Sequence, residues 1–230
     1  MKSKNPFRDL TRFELILWLL SVAVVIASFI LSGGEGILTT IASLIGVTAL
    51  IFVAKGYVIG QVLTVVFSVF YGIISFYFTY YGEMITYLCM SAPAAAITVV
   101  EWLRHPYKGT KEVKVSRLTP KRIVLMIVFT LVATVAFYFI LGALGNANLI
   151  VSTISVTTSF LASFLTFCRS PYYALAYAAN DVVLIVLWIL ATLESITYLP
   201  MVFCFIMFLA NDVYGFYAWK RMEKRQEKAL

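Results

Sequence analysis

Every lysine and arginine of this chain, 18 in all, falls on one side of a membrane once its long apolar runs are laid out as spans. The runs lie near residues 13–31, 36–54, 57–79, 83–103, 122–144, 148–168, 172–193 and 198–219. Each is long enough to cross roughly 30 Å of hydrocarbon at about 1.5 Å per residue. Turn chemistry separates them: Gly33-Gly34, Lys55-Gly56, Tyr81-Gly82, Gly145-Asn146, Arg169-Ser170-Pro171 and Leu199-Pro200. Lys2, Lys4, Arg8 and Arg12 precede the first run, and Lys55 follows the second. Arg104, Lys108, Lys111, Lys114, Arg117, Lys121 and Arg122 follow the fourth, Arg169 the sixth, and Lys220, Arg221, Lys224, Arg225 and Lys228 the eighth. The remaining connections carry Glu35, Glu83 and Glu194 instead. Adding or removing one span scatters the cations over both faces. The expectation is an all-α multi-pass protein of the cell membrane with eight helices and both termini cytoplasmic.

With 62% hydrophobic and only 13% charged residues, lipid must solvate part of the surface. The net charge of +7 invites a nucleic-acid reading, but cations confined to loops and tails orient the chain, so no nucleic-acid partner is expected. They also suit anionic lipid head groups. The first run resembles a secretion signal, yet it is too long and no small-residue cleavage site follows, so it reads as a retained span. Cys89, Cys168 and Cys204 share no metal-ligand spacing and read as packing residues. Neither a metal nor a cofactor is expected. Thr119 before Pro120 is the pattern of an N-cap with proline at the first helical position.

The chain repeats itself. ITYL occurs at 85–88 and 196–199, Glu83 corresponds to Glu194, and Trp102 corresponds to Trp219. Equivalent spans lie four apart, so the two three-helix units, 36–103 and 148–219, run in the same direction. The span at 122–144 links them, and the span at 13–31 stands outside the repeat. The whole chain, 1–230, reads as one membrane domain. A parallel repeat of this kind places a substrate path along the axis between its halves, near the midplane.

Two pairs of polar residues sit deep in spans: Asn180-Asp181 and Asn211-Asp212. An ionised aspartate at a helix centre costs about 2.5–3.5 kcal/mol on insertion scales, so it faces a partner, a cavity or water. Tyr177 and Trp188 flank Asp181 at helical spacing, and Tyr214 shares a face with Asn211. Gln61, Tyr71 and Tyr87 lie in the matching first unit. Rings combined with amides, hydroxyls and acids suit a small ring-bearing solute, and a cationic ring gains further from ring faces and a carboxylate. The expected substrate-binding set is Tyr177, Asp181, Trp188, Asn211, Asp212 and Tyr214, with Gln61, Tyr71 and Tyr87. Tyr177 and Trp188 would wall the ring, and Asn211 and Tyr214 would hydrogen-bond it or a sugar. Trp102 and Trp219, near the cytoplasmic ends, are expected in the interfacial aromatic belt.

YGEM at 81–84, Pro93, EWLRHPY at 101–107 and NDVYGFYAW at 211–219 resemble the PnuC-type vitamin transporters, the last segment matching that family's N-x-x-Y-G-x-x-x-W signature. The resemblance covers roughly residues 36–222. It implies a SWEET-like 3+1+3 helical core, a homotrimer, and passage of nicotinamide riboside, relatives taking thiamine, riboflavin or deoxynucleosides. The family often shows W-x-x-W with Asn four residues later; this chain has Ala174, Tyr177 and Asp181 there. The family's Pro-Met-Gln reads Pro93-Ala94-Ala95. No P-loop occurs, so a facilitator is expected rather than an enzyme or an ATP-driven pump, with the substrate trapped by a separate cytoplasmic kinase. Two other classes stay open on residues alone. One is an intramembrane aspartyl enzyme using both acids, and the other is a scaffold that transports nothing.

Overall fold

The computed structural model describes residues 5–31, 33, 37–77, 81–146 and 148–229. Among the described residues, eight helices are long and apolar enough to cross a membrane: α1 (Arg12–Leu31), α2 (Ile37–Ala54), α3 (Val58–Tyr77), α4 (Tyr81–Arg104), α5 (Pro120–Ala143), α6 (Leu149–Phe167), α7 (Tyr173–Glu194) and α8 (Leu199–Lys228). The chain is therefore an all-helical, multi-pass membrane protein. Glu35, Lys2 and Lys4 lie outside the described residues. Six of the helices end within one residue of the expected span ends, and the expected end of the third span lies outside the described residues. The last runs to Lys228, nine residues past the expected end of its span, because its polar extension docks on protein. Gln226 accepts from the Val115 N–H at 2.8 Å and donates to the Val113 carbonyl at 3.1 Å. Arg225 pairs with Glu112, and Arg117 with Glu227.

Local chemistry explains the helix starts. Thr119 caps α5, its hydroxyl accepting from the Arg122 N–H at 3.4 Å, with Pro120 at the first helical position. Thr11 and Glu14 form a reciprocal capping box on α1: Thr11 N–H donates to Glu14 Oε2 at 2.6 Å, and Glu14 N–H to Thr11 Oγ1 at 3.3 Å. In α4, Pro93 has no N–H and its ring crowds the carbonyl one turn earlier. The helix absorbs this with a wide π turn over Thr86–Ser91, closed by the Ala92 N–H on the Tyr87 carbonyl. That turn re-aims Tyr87 and Ser91.

The packing has two matched seams. Within the first unit α3 lies against α2 and α4, and within the second α7 lies against α6 and α8. Between units, α2 packs on α8 and α4 packs on α6, as a two-fold relation of the halves requires. The linker α5 leans on α6 and is almost wholly unburied, so its apolar surface faces lipid. Helix α1 fits against α2 and α8. The α2–α3 hairpin closes tightly because Gly60 has no side chain; a Cβ there would sit 2.5 Å from the Val53 backbone nitrogen.

Trp102 and Trp219 do not form a belt. Both are fully buried, their rings 5.4 Å apart, and each indole N–H is spent inside: Trp102 on the Thr166 carbonyl at 3.1 Å, Trp219 on the Val53 carbonyl at 2.8 Å. The two pseudo-equivalent rings meet each other at the junction of the halves. A sequence places them at a depth, and only the packing of α4 against α8 through α6 and α2 turns them inward.

Candidate functional site

Between the two halves lies a cavity of about 70 Å³. All the described helices of both units contribute to its wall: Ala49 and Val53 from α2, Gln61 and Thr64 from α3, Tyr87 and Ser91 from the π turn, Ser159 from α6, Tyr177 and Asp181 from α7, and Phe208 and Asp212 from α8. The spacing of four residues between Ser155, Ser159 and Ser163 lays a hydroxyl stripe along one face of α6. Gly46 makes room on the α2 side, since a Cβ there would meet the Phe208 ring at 2.4 Å.

The polar groups fall into two kinds. Some are held. Asn180 accepts from Thr158 at 2.9 Å and Ser155 at 3.4 Å, and the Tyr177 hydroxyl shares a 3.2 Å hydrogen bond with Ser163. Others are left open. Asp181 and Asp212 are both buried on the cavity wall, and Asp181 Oδ2 has no hydrogen-bond partner. No lysine, arginine or histidine lines the cavity among the described residues. Aromatic rings of Phe67, Phe205 and Phe208 close the apolar side.

The sequence expectations divide here. Gln61, Tyr87, Tyr177, Asp181 and Asp212 line the cavity together. Tyr71 stands behind it, its ring 4.1 Å from that of Tyr87. Trp188 lies on the far side of Tyr71 and lines a different, outer cavity. Asn211 and Tyr214 face α1 rather than this cavity. Asn211 Nδ2 donates to Ser21 Oγ at 2.9 Å and to the Met207 carbonyl at 2.7 Å, and the Tyr214 hydroxyl donates to Glu14 at 2.9 Å. One residue separates Asn211 from Asp212, about 100° of helix rotation, and that is enough to send them to opposite neighbours. Sequence reading named Asn180 as a deep polar residue without placing it in the binding set, and left out Ser159, Ser91, Thr64 and Tyr173. The hydroxyl stripe of α6 was a signal for the serine; Ser91 depends on the π turn and had none.

Comparison with known proteins places this arrangement. Residues 36–221 match the family model described as nicotinamide mononucleotide transporter. The nicotinamide riboside transporter PnuC of Neisseria mucosa is 27% identical over 227 residues, covering 96% of this chain and 86% of that protein. The nicotinamide riboside transporter PnuC of Haemophilus influenzae is 24% identical over 190 residues, covering 82% and 81% of the two. The crystal structure of the vitamin B3 transporter PnuC superposes with a TM-score of 0.82 at 26% identity, covering 94% of each chain. The family match over residues 36–221 and the shared fold agree, and the chain belongs to the nicotinamide mononucleotide transporter family of membrane transporters.

Proposed function

We propose that the chain passes nicotinamide riboside, or a nucleoside-like vitamin of similar shape and charge, across the cell membrane as a facilitator. The observation that carries this reading is the central cavity: two buried acids, a wall of hydroxyls and amides, aromatic rings, and no basic side chain among the described residues. Nicotinamide riboside joins a flat pyridinium cation to a sugar rich in hydroxyls. Asp181 and Asp212 offset the ring's charge, Tyr87 and Tyr177 supply ring faces, and Gln61, Ser159 and Asn180 suit the sugar. A phosphate on that sugar would bring negative charge beside the two acids with no cation to meet it, which favours the riboside over the mononucleotide. Thiamine, whose thiazolium ring is also cationic, is the second reading, favoured by the acid at 181 where the family often carries an amide.

In this reading both termini are cytoplasmic, three copies assemble, and a cytoplasmic kinase traps the product, since a phosphorylated nucleoside cannot return through a cavity without cations. Thermal unfolding of the purified protein across nicotinamide riboside, nicotinamide mononucleotide, thiamine, riboflavin and deoxynucleosides tests the substrate. Only the cognate ligand raises the midpoint, by mass action. Nicotinamide riboside leaving the midpoint unmoved while another ligand raises it would overturn the assignment. Proteoliposomes test the mode: a facilitator equilibrates substrate without an ion gradient. Native mass determination tests the trimer.

A further inference from the structure

A second cavity, of about 40 Å³, lies at the end of the molecule opposite the cations, and Glu83, Asn146, Asn148, Ser152, Trp188 and Glu194 line it. It is separated from the central cavity by a layer of rings. Tyr87 lines the central cavity and meets Tyr71 at a tilt, ring centroids 4.1 Å apart; Tyr71 meets Trp188 edge-on at 6.3 Å; Trp188 lines the outer cavity. Glu83 is the unusual member. Its carboxyl is only 6% exposed and Oε2 has no hydrogen-bond partner. A buried acid without a partner is costly and marks a site that awaits one. The protein also builds around it. Gly82 lets the α5–α6 turn close over the start of α4: a Cβ at 82 would meet Asn146 Oδ1 at 2.3 Å and Leu141 at 2.7 Å. Asn146 is in turn fixed by donating to Ser152 Oγ at 2.8 Å. Glu194, exposed at the rim, holds the place in the second unit that Glu83 holds in the first. The connections at this end carry no lysine or arginine.

We propose that this cavity is an antechamber, a binding site separate from the central one, that takes a cationic aromatic ring between the Glu83 carboxylate and the Trp188 indole before the ring layer opens. Charge from Glu83 and Glu194 draws the cation in, and the indole face holds it flat. The proposal rests on the functional reading above, because it requires a substrate with a positively charged ring arriving from this side.

Initial uptake into intact cells expressing the full chain tests it, using nicotinamide riboside and its reduced form, in which the ring is uncharged. Glu83→Gln keeps the size and hydrogen-bonding capacity of the side chain. It is expected to raise the half-saturating concentration of the cationic form about tenfold with little change in maximal rate, and to leave the uncharged form unaffected. Glu194→Gln, at the exposed rim, is expected to shift it about twofold and only at low salt. Both forms weakened equally by Glu83→Gln would mean a structural role and overturn the proposal. Wild-type uptake with Glu83→Gln unchanged overturns it alone. Wild-type cells taking up no nicotinamide riboside overturn the functional reading, and this inference with it. A Glu83→Gln protein that fails to reach the membrane hands the decision to Trp188→Leu against Trp188→Phe. The ring-bearing variant must keep the affinity for the cation that leucine loses.

Discussion

The central cavity and the seam between α1 and α8 bury similar polar groups to opposite ends. At the seam the groups are tied. Glu14, buried in the first turn of α1, receives Thr11, Lys55 at 2.9 Å and Tyr214, while the Asn211 amide nitrogen reaches Ser21 and Met207. Asn211 Oδ1 is the exception among the described residues. In the cavity, Asp181 keeps an open oxygen beside a second acid and a void. Saturated polar groups hold helices together; open ones facing space are available to a guest. Helix α8 carries both kinds one residue apart.

The largest effect that this contrast predicts is on transport. Asp181→Ala and Asp212→Ala should each reduce initial uptake by at least about 30-fold, the cost of losing one buried charged partner. The unfolding midpoint in detergent should move by only a few degrees. Wild-type uptake in both variants would break the distinction.

At the seam the order reverses. Lys55→Ala strands the Glu14 carboxyl, whose side chain is 5% exposed, and should destabilise the fold by about 3–5 kcal/mol in chemical unfolding. Half-saturation for substrate should stay within about twofold. Pairing Lys55→Met with Glu14→Gln should restore most of the loss, because no uncompensated charge remains.

A smaller effect lies at the boundary of the two kinds. Ser163→Ala removes the hydroxyl that steadies Tyr177, and should weaken substrate binding by about 1 kcal/mol, read as a several-fold shift in a binding titration. No change would place Tyr177 outside the contact set.

The smallest effect is on the basic-end latch. Lys111 donates to Asp9 at 2.6 Å, and that hydrogen bond holds the Asp9 carboxyl below its ordinary range. A carboxyl lowered on folding stabilises the folded state above its ordinary value, about pH 3.9, and loses that contribution as pH falls through the lower folded value. Asp9→Asn should remove this acid-range slope from the stability profile and leave neutral-pH stability little changed.

Much of the fold was legible. Apolar length and one-sided cations gave eight spans, and Thr119-Pro120 marked one helix start to the residue. The cavity wall was legible only in part. Asp181 and Asp212, which line it, stood out in the sequence because acids in oil are expensive wherever they point. Asn211 and Tyr214 carried the same signal and turned out to face α1. Trp102 and Trp219 looked interfacial by depth and are buried against each other.

Depth in the bilayer is a one-dimensional property, set by how many apolar residues separate a group from the nearest charged loop, and the sequence by itself determined it throughout. It also determined that the two units run in the same direction, because equivalent spans lie four apart. Rotation about each helix axis is another matter. Which neighbour a side chain meets depends on how α8 sits between α1, α2 and α7, on the π turn that Pro93 forces into α4, and on glycines that let helices close. Those are contacts between segments far apart in the chain, so only the tertiary structure decided which buried polar groups are bonded and which are left facing a cavity.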